Sequence, residues 1–503
     1  MKHSYSLKAF SLVTLSLLGA STANALVTDK VSVKNSMEVA YLKHPKTANN
    51  IEEMFNEGLL YGRLRSNYLD YTFENEHQDH TSDNSAWAVG GSLTYSTAYL
   101  NGFGATAGFY TSHTINTDNT RYKTNGTPYD AGKVPRNVYD KDSGSGDAID
   151  VLAVSYLEYK FAKTSIKVGR QIYESTSVHS NDVFMIPNTM QGYSIESRDL
   201  EDTQLRLSYF TQQKLMGHSD FHSIIAVDGA NQNDDGGRHQ GLSTTNLELY
   251  GRETDPGMLL FAGENKSIPG LKLNLDTVYI DDFFAHVIPE VNYKLALGGK
   301  WSISAGVRYF YQKDKGAGDV GGSSVSGKFA IDKNPTAEQI LSYDTTDNLD
   351  GSAWMSRLVL SNGPGSLSVG YSDIADKGDL VAPWRGFPTA GYTRDLTEYN
   401  WFANTESYMI KATYDFNKAG LVNGLFTQLD YAYMDYDEAK INAGTISKTD
   451  RWIIHFDAIQ AVEAVPGLEF RARLSWIDAD SSPNAYQDYN SYTDFRFEVD
   501  YFF

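Results

Sequence analysis

The strongest constraint on this chain is a two-residue alternation that recurs from Gly58 to the last residue. In Thr493–Phe503, the residues Phe495, Phe497, Val499, Tyr501 and Phe503 share one face, and Asp494, Arg496, Glu498 and Asp500 share the other. Leu468, Phe470, Ala472, Leu474 and Trp476 oppose Glu469, Arg471, Arg473 and Ser475 in the same way. A period of two belongs to β-strands with one apolar and one polar face. Such segments fall at 58–72, 86–98, 103–113, 149–160, 164–172, 190–198, 202–211, 258–265 and 271–281. They continue at 283–294, 300–312, 350–361, 366–373, 405–416, 424–434, 451–462, 468–477 and 492–503, eighteen in all.

The links sort by length. Those after even-numbered strands are short, as at 100–102, 161–163, 362–365 and 464–467. Most after odd-numbered strands are long and rich in Asp, Asn, Gly and Ser, as at 114–148, 212–257, 313–349 and 374–404; the link near Asp282 is a short exception. A soluble sandwich has no reason to sort its loops, whereas a membrane barrel has turns in the periplasm and long loops outside. Alternation alone does not separate the two, because a sandwich buries the face that a membrane barrel shows to lipid. Three features favour the barrel: an aromatic band near strand ends (Tyr99, Trp301, Tyr371, Tyr414, Trp452, Trp476), a large even strand number, and a last strand ending on Phe503. The expected fold is all-β: a transmembrane antiparallel β-barrel of about eighteen strands over 58–503, a size at which barrels enclose water.

Composition excludes other classes. The 503 residues contain no cysteine, which removes disulfide scaffolds, cysteine-ligated zinc, iron–sulfur clusters and thiol nucleophiles. A net charge of −20 argues against a nucleic-acid partner. Residues 1–25 read as a signal peptide: Lys2 and Lys8, an apolar Ala9–Ala20 too short to span a bilayer, and Ala23-Asn24-Ala25 as the cleavage site. Removing two lysines takes the charge from −20 to −22. Residues 26–57 are expected as a short periplasmic segment with some helical spacing at Met37, Val39, Ala40 and Leu42.

The stretches EGLLYGRLRSNYLDY, IKVGRQ running into SNDVFMIPNTMQGYSIES, VRYFYQKDKGAG and SYMIKATYDFNKAGLVNGLFTQLDYAYMDY resemble the OprD-type family of outer-membrane porins, including related major porins of epsilon-class bacteria. The likeness spans nearly the whole mature chain. It implies an eighteen-stranded passive diffusion channel, with loop three (about Tyr173–Thr189) folded inward as the constriction. It also implies a ladder of basic side chains that guides carboxylate solutes. Trimers are common among porins, and OprD-type relatives vary, so a homotrimer is one assembly open to this chain.

The alternation supplies candidates. The first and last strands of a barrel are neighbours, so Arg471 and Arg473, then Arg496, then Arg63 and Arg65 form a basic stripe on three adjacent strands. Arg206, Arg308, Arg357 and Lys411 are further lumen positions, because a lysine or arginine on the lipid face costs about 2–4 kcal/mol at mid-membrane. A polar bore with low-dielectric walls focuses such a field on passing anions. Glu469, Asp494, Glu498 and Asp500 share these faces, so the stripe reads equally as a salt-bridged wall. Glu158, Asp276, Glu290, Asp430 and Asp457 also face the bore, which leaves cation preference open. Glu174, His179 and Asp182 are the titratable constriction candidates of loop three.

Other motifs carry little. Ser219 between His218 and His222 is adjacency, not a triad. Asn231–Gly237 has oxygen ligands without calcium-loop spacing, and Gly318–Gly327 reads as a flexible loop rather than a phosphate cradle. No catalytic residue, metal or cofactor is implied. Expected partners are outer-membrane lipid and lipopolysaccharide, small solutes and ions, and barrel-assembly machinery recognising Phe503. The alternatives are an outer-membrane barrel enzyme of lipase or protease type, which needs a nucleophile–base pair, and a secreted β-sandwich adhesin.

Overall fold

The structure, a computed structural model, describes residues 31–34, 38–41, 43–74, 83–118, 123–124, 127–128, 148–226, 238–396, 398–481 and 491–503. Residues 1–25, read above as a signal peptide, and the Asn231–Gly237 motif lie outside them.

Eighteen antiparallel strands follow one another around a closed barrel. They are β1 (Leu59–Phe73), β2 (Asn84–Ser96), β3 (Phe103–Asp118), β4 (Ile149–Phe161), β5 (Thr164–Gln171), β6 (Thr189–Ser197), β7 (Thr203–Lys214), β8 (Met258–Asn265) and β9 (Leu271–Ile280). The second half is β10 (Phe284–Gly298), β11 (Trp301–Asp314), β12 (Gly351–Ser361), β13 (Gly365–Ile374), β14 (Thr405–Asp415), β15 (Leu425–Asp435), β16 (Arg451–Ala461), β17 (Leu468–Ala479) and β18 (Tyr492–Phe502). Every alternating segment read from the sequence is one of these strands. Closure removes the unpaired edges that an open sheet would expose.

Burial alternates along each strand, and the large exposed apolar side chains (Leu64, Leu157, Tyr193, Trp354, Ile410, Phe497) lie on the outer face. The charged residues between them turn inward. β18 closes onto β1 with Asp500 opposite Arg65 and Glu498 opposite Asn67. The backbone of Phe503 exchanges two 3.0 Å hydrogen bonds with Gly62. The tight turns use residues that tolerate positive φ. Asn101 (φ 50°) and Gly102 (φ 87°) reverse the chain before β3, a pairing suited to the twist of a hairpin.

Two expectations are corrected here. Tyr99 is not an outer girdle residue: it is buried, and its hydroxyl donates to Glu158 Oε2 at 2.7 Å. The reason is its position in the turn, where Tyr99–Leu100 pairs in parallel with Thr47–Ala48. Trp301 and Trp476 do stand exposed on the outside. Before the barrel, Glu38–Tyr41 is extended and pairs with Val31–Lys34, so the helical spacing there misleads. Val31 and Val33, with Val39 opposite Val33, favour a strand pair instead. The helix of this region, α1, is Ile51–Asn56, capped by the Asn50 side chain accepting from Glu53 N.

Candidate functional site: a paired arginine wall crossed by two inward loops

The five stripe arginines are buried on the inner faces of β17, β18 and β1. A buried lone charge is expensive, so each needs a carboxylate partner. The period of two supplies them: Asp494, Arg496, Glu498 and Asp500 stand in one row along β18. Arg496 turns back to Asp494 (Nε 2.9 Å, Nη2 2.7 Å) and donates to Tyr71 Oη at 2.9 Å. Arg471 binds Asp457 through Nε (2.8 Å) and Nη2. Arg63 binds Asp500 through Nε (2.9 Å) and Nη2 (3.0 Å). Arg65 reaches Glu498 at 3.0 Å. Arg473 stands directly opposite Arg496 in the ladder and pairs with Glu498. Among the described residues its Nε and Nη1 have no hydrogen-bond partner. Glu469, opposite Asp500, is only partly buried.

The other basic candidates sit elsewhere around the ring. Arg308 donates from Nε to Glu290 Oε2 at 2.6 Å, and Arg357 from Nη2 to Asn292 Oδ1 at 2.6 Å. Both guanidiniums lie against the Tyr392 ring, at 4.9 and 4.4 Å. Arg206 lies 5.2 Å from the Tyr173 ring centroid and donates to the Glu174 carbonyl. Lys411 is half-buried on β14, opposite Asp430.

Loop three spans 172–188, and residues 175–188 are all buried. One end is tied to β9, where Asp276 accepts from Thr176 N at 3.1 Å and from Ser177 Oγ. The far end is tied to β1. Asn67 Nδ2 donates to Phe184 O at 3.0 Å, and Asp182 accepts from Arg63 and from Arg65 Nη1 at 3.1 Å. β1 and β9 stand nearly opposite in the ring, so the loop crosses the interior. Asp182 thus joins the stripe. Glu174 accepts from Ser180 N at 3.2 Å and from its hydroxyl, and His179 Nδ1 lies 3.4 Å away. Burial pushes the Glu174 carboxyl up to about 8.

The sequence reading missed a second inward element, loop seven (375–404). Pro388 and Ala390 carbonyls accept from Arg308 at 2.7 and 3.1 Å, and Gly391 O accepts from Arg357 at 2.8 Å. Its Glu398 is fully buried and accepts from Arg451 Nη1 at 3.0 Å and Lys448 Nζ at 2.7 Å. Loops three and seven meet. The His179 ring stacks on Phe387 with centroids 5.6 Å apart, and a Cβ at Gly386 would run into the Ser177 carbonyl. One signal was available in the sequence: Trp384, Phe387, Tyr392, Tyr399 and Trp401 make this loop too aromatic for a solvated one.

The loop after β11 also differs from the flexible reading of Gly318–Gly327. A short helix, α2 (Ala317–Gly321), is buried there, and Asp314 accepts from the amides of Gly316 (2.7 Å) and Leu349 (2.9 Å). Its glycines allow backbone to approach backbone: a Cβ at Gly318 would meet the Asp347 carbonyl. His218 and His222 have ring centroids 5.0 Å apart in the loop after β7.

Comparison with solved structures places the barrel among known ones. Acinetobacter baumannii OccAB3 superposes with a TM-score of 0.67 at 16% identity, over 89% of this chain and 100% of that one. Pseudomonas aeruginosa OpdK, solved with vanillate, gives 0.65 at 16%, over 90% and 99%. Pseudomonas aeruginosa OpdQ gives 0.64 at 16%, over 89% and 99%. No curated protein matches the sequence. The family described as "outer membrane porin, OprD family" matches residues 54–502, and the chain belongs to that family.

Proposed function

We propose that this outer-membrane channel selects small solutes where loop three, loop seven and the arginine wall of β17, β18 and β1 come together. The observation that carries the reading is Arg473. It shares Glu498 with Arg65, and two of its donors, Nε and Nη1, lack a partner. A guanidinium presents a planar fork that matches a carboxylate, so Arg473, buried with two donors to spare, holds an anion once the side chains covering it swing aside. Asp182 occupies Arg63 and Arg65 in the manner of such a solute, but as part of the chain. OpdK has been solved with vanillate. By analogy, small carboxylates are the first solutes to try.

Ion-paired wall charge is balanced. Five guanidiniums (Arg63, Arg65, Arg471, Arg473, Arg496) face five carboxylates (Asp182, Asp457, Asp494, Glu498, Asp500), five minus five leaving zero. The arginine wall therefore adds no net charge to the bore, whatever the net charge of the chain. Transport is passive and non-enzymatic. The first 25 residues act as a leader, Phe503 is read by the assembly machinery, and the oligomeric state, trimeric or otherwise, is open to crosslinking. Arg473→Gln tests the reading. It should abolish block of the ion current by a small carboxylate while leaving conductance in plain salt within about twofold. Unchanged block rules Arg473 out.

A further inference from the structure

Beside the arginine wall, three side chains converge where loop seven meets β15 and β16. Asp395 of loop seven, Asp430 of β15 and His455 of β16 bring one donor atom each to within 4.8 Å of one another. All are buried, with 5%, 2% and 3% of their surface exposed. Asp430 and His455 are direct partners in the β15–β16 ladder, so strand register fixes two of the three.

Each group is oriented by a neighbour through one atom. Leu396 N donates to Asp395 Oδ1 at 2.6 Å, and Gln428 Nε2 to Asp430 Oδ2 at 2.6 Å. Ser475 Oγ lies 2.6 Å from His455 Nδ1. The remaining oxygens, Asp395 Oδ2 and Asp430 Oδ1, are buried without a hydrogen-bond partner among the described residues. Lys411 stands opposite Asp430 in the ladder, and its charge also acts on the Asp395 carboxylate. Buried carboxylate oxygens without partners are costly, and a bound ion is one cause that explains them.

We infer that Asp395, Asp430 and His455 bind one divalent cation and so fasten loop seven to the barrel wall. One imidazole with two carboxylates suits a borderline ion such as Zn²⁺, and the harder Mn²⁺ accepts such a mixed set; Ca²⁺ and Mg²⁺ prefer all-oxygen sets. Bonds of about 2.1 Å put ligand atoms about 3.4 Å apart in a tetrahedral site, so the three side chains would draw together on the ion. With His455 Nδ1–H donating to Ser475, Nε2 carries the lone pair. Ser475, Gln428 and the Leu396 amide then have the position of the outer groups that orient metal ligands.

The test is calorimetric titration of the full chain in detergent, chelator-treated beforehand, with ZnCl₂ and with MnCl₂. One ion per chain is expected, with Asp395→Asn and His455→Gln each weakening binding about 10- to 100-fold. Heat-modifiable gel mobility checks that the variants are folded. Pulsed EPR of Mn²⁺ on the unaltered protein needs no variant and should report one imidazole nitrogen. Three results overturn the inference: no binding of either ion below about 1 mM, an Mn²⁺ spectrum without nitrogen coupling, or folded variants that bind like the unaltered protein.

Discussion

Asp182 is the most informative residue to change. Its side chain is fully buried, and both Arg63 and Arg65 donate to it, with Arg65 Nη2 also reaching its carbonyl at 3.2 Å. Asp182→Asn keeps the shape and removes one of five paired carboxylates, leaving the wall at plus one. A unit charge about 10 Å from an ion in water contributes about 0.4 kcal/mol. That is about a twofold change in partitioning for each sign of ion, so the anion-to-cation permeability ratio rises about fourfold. Focusing by low-dielectric walls enlarges the effect. The variant also loses charge-assisted hydrogen bonds worth about 1.5–3 kcal/mol each, which loosens loop three. The assay is single-channel recording in a planar bilayer under a KCl gradient. The reversal potential should move towards anion preference, with added open-channel noise. An unchanged reversal potential, or movement towards cations, would refute the idea that the balance of wall charge sets selectivity.

Three further outcomes are expected. Replacing Arg471, Arg473 and Arg496 together by glutamine should shift the reversal potential the opposite way, towards cations, in the same recording. Gly386→Val should separate loop seven from Ser177 and raise single-channel conductance, with the folded barrel still heat-modifiable on gels. Glu174 gives a pH dependence. Burial raises its value in the packed loop from 4.5 to about 8, so the neutral carboxyl favours packing. That contribution is fully present below about 4.5 and is lost as pH rises to about 8. Channel noise should therefore grow across this window, and Glu174→Gln should flatten the dependence.

The strands were legible because a membrane barrel writes its two faces directly into a period of two, and its tight turns into short links such as Asn101-Gly102. The inward faces of Arg471, Arg473, Arg496, Arg63 and Arg65 follow from that period alone. Their partners were only half legible. Asp494 lies two residues from Arg496, but Asp182 reaches Arg63 across 119 residues, a distance no local pattern encodes. Loop seven escaped for the same reason: irregular backbone has no period, and only its aromatic content hinted at burial. The Asp395–Asp430–His455 cluster joins a loop to two strands through register, so it exists only in three dimensions. Tyr99 was misplaced because turn residues do not obey the alternation of the strands beside them.

The most direct test is the single-channel current of the unaltered protein under a salt gradient. Stepwise openings with a reversal potential close to that of a weakly selective pore are predicted, because the wall charges balance. Folded, heat-modifiable protein that gives no steps, or a strong cation preference of the kind a net charge of −20 suggests, would contradict it.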